Sequence, residues 1–125
     1  MLKDALAQSS EAYYTQVFRR YELRDKMRIF FEKFDLLLTP TLPCAAFDVG
    51  LNTPPQLPGR NIVDWVYYTY PFNLTGQPAA SIPAGCTRAG LPVGLQMVAR
   101  SHCETDIFRA AAAFEAAQPW TLYNK

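Results

Sequence analysis

From Trp65 to Thr87 the chain carries no charged side chain, and residues 73–85 within that run, NLTGQPAASIPAG, are broken by Gly76, Pro78 and Pro83. A membrane-spanning helix needs about 20 mostly apolar residues that can stay helical. Pro71, Gly76, Pro78 and Pro83, with Asn73 and Gln77 between them, exclude that reading. The run is read instead as a helix end, a turn and a buried strand. Charge is equally uneven across the whole sequence. Residues 1–35 hold seven basic and six acidic side chains, whereas residues 36–103 hold only Asp48, Arg60, Asp64, Arg88 and Arg100. A free-standing domain must cover much of its surface with polar groups. The central segment is therefore expected either to self-associate or to lie against more protein.

At 125 residues, 50% hydrophobic and 18% charged, the sequence is that of a core-forming globular domain. A net charge of +1 without a basic run gives no footprint for nucleic acid or for an anionic membrane surface. Cys44, Cys86 and Cys103 form no CxxC pair, and His102 is the single histidine, so neither a metal site nor a disulfide framework is expected. That cysteine usage suits a reducing, cytoplasmic setting. The opening MLKDALAQSS is too polar for the apolar core of a signal peptide, so no targeting segment is expected.

Apolar residues at Tyr14, Val17, Phe18 and Tyr21, and again at Met27, Phe30, Phe31 and Phe34, follow the spacing of an amphipathic helix over residues 10–33, with a serine as N-cap. Asp35-Leu-Leu-Leu-Thr39 breaks that period and reads as a short strand buried on both faces. Residues 40–60, with Pro43, Pro54, Pro55 and Pro58, read as a long loop at the C-terminal end of that strand, where α/β sheets form pockets. A helix over 61–74 is expected to start at Asn61, to break near Pro71 and to end on a left-handed Gly76. Strands follow at 79–84 and 93–99, joined hairpin-fashion with Arg88 exposed. Ser101-His-Cys-Glu104 has the form of a capping box for a last helix, 102–117, with Ile107, Phe108, Ala111 and Phe114 toward the core.

No nucleophile elbow, phosphate-binding glycine loop or metal-ligand cluster occurs in the chain. Cys103 beside His102 is the only tempting catalytic pair, but sequence neighbours in a helix cap rarely face each other, and Ser81 has no candidate base nearby. Both are read as structural. No catalytic residue and no cofactor are assigned.

DLLLTPTLP, then YTYPFNLTGQPAASIPAG, GLPVGLQMVAR and the closing AAAFEAAQPW, in this order from about Arg24 to Trp120, resemble the C-terminal part of the amidase signature family. The resemblance implies hydrolysis of carbon–nitrogen amide bonds by a serine nucleophile, a second serine in a cis peptide and a lysine, with backbone N–H groups of a glycine/serine-rich loop holding the oxyanion. This sequence has no lysine between Lys33 and Lys125 and no such loop, so none of those roles is carried over. By the same analogy the TPTLP loop and the Trp65 helix wall a substrate funnel, which makes Thr41, Pro43, Trp65 and Gln77 candidate substrate-binding residues. The alternative is that these four hold turns and pack.

The expected architecture is an α/β fragment of three helices and three strands. The strand at 79–84 follows that at 35–39 by a right-handed crossover as its parallel neighbour, and the strand at 93–99 is antiparallel, giving a mixed sheet. The expected function is that of an amidase segment inactive alone, partnered by an upstream part of the same fold. The rival is a free-standing module that associates with itself or with a partner.

Overall fold

A computed structural model describes residues 6–59, 61 and 63–120. Helix α1 spans Ser10–Phe30, and the Ser9 hydroxyl caps it by accepting the Ala12 N–H at 3.2 Å. The helix does not reach Lys33 as α-helix. The N–H groups of Glu32 and Lys33 bond three residues back, to Ile29 and Phe30, which tightens the last turn. On the exposed face Arg28 donates to Asp25 at 2.8 Å and to Glu32. The hydrogen bond to Asp25, then the charges of Asp25 and Glu32, raise the guanidinium's pKa above its ordinary value.

Strand β1 is Leu36–Pro40, β2 is Ala79–Cys86 and β3 is Pro92–Ala99. The strand order is β1-β3-β2, with both pairings antiparallel. The α/β class is as expected, but the direct parallel pairing of the first two strands is not formed: β3 lies between them. The hairpin explains this. Its turn is closed by Thr87 N–H to the Leu91 carbonyl at 2.8 Å and Gly90 N–H to the Thr87 carbonyl at 2.9 Å, with Gly90 at φ 79°. A hairpin obliges β3 to lie beside β2, and β3 takes the inner position, its far edge pairing Leu37 with Val98 and Thr39 with Gln96.

Side chains alternate across the sheet. Leu36, Ala80, Ile82, Leu95, Met97 and Ala99 share one face, and helix α3, Glu104–Ala117, covers it with Ile107, Ala111 and Phe114. Leu37 and Val98 lie on the other, against Phe31 and Phe72. Layers on both faces of the sheet thus bury Phe31, Val98 and Ala99 almost completely.

Between β1 and β2 the chain forms a 3-10 turn, Asp64–Val66, and a short helix α2, Tyr70–Thr75. The expected helix over 61–74 crosses residue 62, outside the described residues, and its expected break near Pro71 falls where α2 begins. The Asn61 side chain caps the turn, accepting the N–H groups of Val63 and Asp64 at 2.8 and 3.0 Å. Pro71, in the first turn of α2, lacks an N–H to continue the ladder and separates the two pieces. Gly76 ends α2 at φ 81°, ψ 23°, the left-handed conformation.

Three local expectations differ. Leu38 is 53% exposed, because β1 is an outer strand whose centre no described helix covers. Ser101 does not cap α3. The N-cap is Cys103, without a side-chain bond, and His102 at φ 64° turns the chain into the helix. Phe108 faces outward at 69% exposure, because Ile107, Ala111 and Phe114 take the sheet-facing side at i, i+4, i+7 and Phe108 lies about 100° round the helix from Ile107. The N-terminal stripe of α1 also lies open, with Tyr14, Phe18 and Tyr21 all exposed.

Candidate functional site

Beyond β1 the chain turns at Thr41, whose N–H bonds to the Gly94 carbonyl of β3 at 3.0 Å. The loop it opens stands over the C-terminal end of β1. A cleft of about 740 Å³ lies there, lined by residues 41–47, Trp65, residues 81–83 of β2, Thr87 and residues 92–94 of β3. Its walls are apolar, and none of these residues bears a carboxylate, ammonium or guanidinium group. Phe47 and Trp65 meet edge to face, with ring centroids 5.5 Å apart at 80°. The Trp65 Nε1–H is buried without a hydrogen-bond partner among the described residues.

The floor has a polar element. Thr41 Oγ1 and Ser81 Oγ lie 2.6 Å apart, a hydrogen bond that spans the middle strand. The bond passes over Gly94: a Cβ there would lie 2.6 Å from Ser81 Oγ and 2.7 Å from Thr41 Oγ1. Glycine is needed at this position for close approach, not for backbone freedom. One register step along β3, Gln96 is buried, and its Nε2 donates to Thr39 Oγ1 at 2.9 Å and to the Tyr68 carbonyl at 2.8 Å. That amide ties the segment carrying Trp65 to the sheet, and so fixes wall to floor.

Of the four residues expected to bind substrate, Thr41, Pro43 and Trp65 come together in this cleft. Gln77 does not join them. It is buried behind α2, its Oε1 bonded to the Thr75 hydroxyl. Sequence reasoning passed over Thr39, Gly94 and Gln96 and set Ser81 aside. The available signal was alternation: Thr39, Gln96 and Ser81 share a register line, visible once β3 is known to lie between the other strands.

Chemically the cleft offers shape, apolar surface and two hydroxyls. A nucleophile needs a base within hydrogen-bond reach, and the Ser81 hydroxyl is bonded to another hydroxyl instead. His102 is exposed, and the cleft lining contains no lysine or histidine. Among the described residues no three His, Cys, Asp or Glu side chains gather as a metal site, and no helix is long and apolar enough to cross a membrane.

Known proteins share this sequence pattern. An acylamidase of Rhodococcus erythropolis is 39% identical over 105 residues, 81% of this chain and 22% of its own length. One component of the glutamyl-tRNA(Gln) amidotransferase of Geobacter metallireducens is 42% identical over 112 residues, 88% of this chain and 22% of that one. Among solved structures, a bacterial aryl acylamidase of the amidase signature enzymes superposes with a TM-score of 0.80 at 37% identity, covering 94% of this chain and 25% of its own. The chain thus spans about a fifth of the length of the curated relatives it matches. A family model described as Amidase matches residues 2–108, which hold all three strands, the hydroxyl pair and Gly94. On that match the chain belongs to the amidase family.

Proposed function

We propose that this chain is the C-terminal part of an amide-bond hydrolase and forms one wall and the floor of its substrate cleft, without supplying the nucleophile. The observation that carries the reading is the Thr41–Ser81 pair. It is a polar floor in an apolar cleft with no basic side chain in its lining, suited to binding and not to attack. The lysines, at positions 3, 26, 33 and 125, lie outside that lining. A serine nucleophile, its lysine relay and the oxyanion donors would come from an upstream part of the fold, which is the partner proposed here. The free thiols of Cys44 and Cys103 suit a cytoplasmic setting.

The test is hydrolysis of aliphatic and aromatic amides, followed by product formation, with the chain alone and co-expressed with the upstream portion of a related amidase. The expected result is no turnover alone and turnover with the complement. Turnover by the dialysed chain alone that disappears with Cys103→Ala or Ser81→Ala overturns the reading. The exposed Tyr14, Phe18 and Tyr21 favour a second reading, a self-associating module built on the same fold. A concentration-independent monomer would count against that one.

A further inference from the structure

We propose that the outward face of α1 joins two copies of this chain as an antiparallel, isologous dimer whose axis passes between Arg19 and Arg20. The proposal rests on no part of the hydrolase reading. It gives the self-association expected of the exposed aromatics a surface, a symmetry and a register.

The other face of the helix is already taken. Arg20 Nε donates to the Leu74 carbonyl at 2.6 Å, and Met27 and Phe31 pack on the body of the chain. At about 100° per residue, Phe18 lies about 140–180° round the helix from those three. Tyr14, Phe18 and Tyr21, exposed at 57%, 63% and 58%, therefore point away from the sheet and α2. The described body of the chain cannot cover them.

The spacing and the charges name the occupant. Glu11, Tyr14, Phe18, Tyr21, Asp25 and Arg28 are all exposed and follow one another at intervals of 3, 4, 3, 4 and 3 residues, the seam of a heptad. Such a seam packs against a second helix of the same period, and another copy of α1 is one. Parallel copies would stack Glu11 on Glu11, Asp25 on Asp25 and Arg28 on Arg28. Antiparallel copies turned about the point between positions 19 and 20 bring together unlike groups instead. Phe18 of each lies against Tyr21 of the other, the Tyr14 hydroxyl faces the Asp25 carboxylate, and Glu11 faces Arg28. Asp25 and Glu32 engage two of the five N–H donors of Arg28, so donors are left for Glu11. A shift of one heptad in either direction breaks the Glu11–Arg28 pair. Each aromatic offers about 100–150 Å² at these exposures. Six of them, with the stems of flanking side chains, reach about 1,000 Å², the lower end for a specific interface, so a weak dimer is expected.

The experiment is sedimentation equilibrium of the 125-residue chain over about 1–500 μM, with far-UV circular dichroism on every variant. A monomer–dimer equilibrium is expected. Phe18→Glu should weaken it at least about tenfold, by placing two carboxylates at the centre of the interface. Glu11→Arg and Arg28→Glu should each weaken it about fivefold, since like charges then meet in two symmetry-related layers. The double variant should recover the parent affinity to within about threefold, which neither a parallel pair nor association through the outer strands would give. If Arg28→Glu lowers the helicity, Phe18→Glu and Glu11→Arg decide the matter. A monomer throughout, association unchanged by Phe18→Glu, or failure of the folded double variant to recover overturns the proposal. Co-expressed with the upstream portion of a related amidase, the complex should still pair through α1. A complex holding one copy of each piece would show that the upstream portion covers the row, and would also overturn it. Amide hydrolysis by that complex, present or absent, bears on the hydrolase reading alone.

Discussion

Replacing Gly94 by alanine tests the geometry on which the cleft depends. The new Cβ would stand 2.6 Å from Ser81 Oγ, 2.7 Å from Thr41 Oγ1 and 3.2 Å from Thr41 Cβ, and the first two are closer than real Cβ atoms approach. Both hydroxyls must rotate away, which breaks their bond at a net cost of about 1 kcal/mol. Turning the two short side chains off their preferred rotamers toward the open cleft adds about 0.5–1.5 kcal/mol. Against this, alanine narrows the unfolded ensemble and returns about 0.4–1 kcal/mol. The expected net loss is about 0.5–2 kcal/mol, read as a lower urea midpoint at matched, low protein concentration. The contacts also predict coupling. In a Ser81→Ala background the nearest clash is gone, so Gly94→Ala should cost about 1 kcal/mol less than in the parent. A neutral or stabilising Gly94→Ala, or strict additivity with Ser81→Ala, would refute the claim that the pair fills the space above Gly94.

Two further outcomes are expected. Gly76→Val should lower stability by about 1–2 kcal/mol in chemical denaturation: nothing lies within 4 Å of a Cβ at Gly76, so the whole cost is the left-handed backbone at φ 81° imposed on a β-branched residue. An unchanged midpoint would show that the cap relaxes out of that conformation. The isolated chain should self-associate or bind a hydrophobic dye, because Tyr14, Phe18 and Tyr21 lie exposed in an i, i+4, i+7 row on α1 and β1 and β2 are outer strands. Light scattering that shows a monodisperse monomer, with no dye binding, would contradict this.

Features set by a few neighbouring residues could be read from the sequence. Ser9 caps α1, Asn61 caps the turn that carries Trp65, and Gly76 is left-handed, each for a reason contained within four residues of chain. The cleft was half legible in the same way. A proline-rich loop leaving a buried strand marked where a pocket would form, while Thr41, Pro43 and Trp65 themselves came from the resemblance to the amidase signature family. Features that depend on strand order could not be read. Leu37 and Leu38 are alike in composition, yet one packs on Val98 and the other is exposed, and only the pairing with β3 decides which. Ser81 reads as structural in the sequence because its partner lies 40 residues away, just beyond a strand that is not its neighbour. Gln77 has the opposite history: the family resemblance suggested recognition, while its amide closes a local bond to Thr75.

The position of the cleft follows from one face of β3. Along that face the side chains run Val98, Gln96, Gly94: an apolar residue fully buried against Phe31 and Phe72, an amide buried but turned to bond the neighbouring chain, and no side chain at all. Exposure along the strand rises in the same direction, from buried Ala99 to exposed Pro92. Neighbouring strands lie about 4.8 Å apart, so β1 and β2 on either side of β3 are separated by about 10 Å, too far for two short side chains to meet across an occupied middle position. Thr41 and Ser81 do meet, because position 94 is empty and because the bond from Thr41 N–H to the Gly94 carbonyl draws the end of β1 inward. On the opposite face Leu95, Met97 and Ala99 stay apolar under α3, although exposure rises there too, from buried Ala99 to Val93 at 39%. A single strand therefore builds core on one side and the floor of the cleft on the other, and the transition between them occurs between Val98 and Gly94.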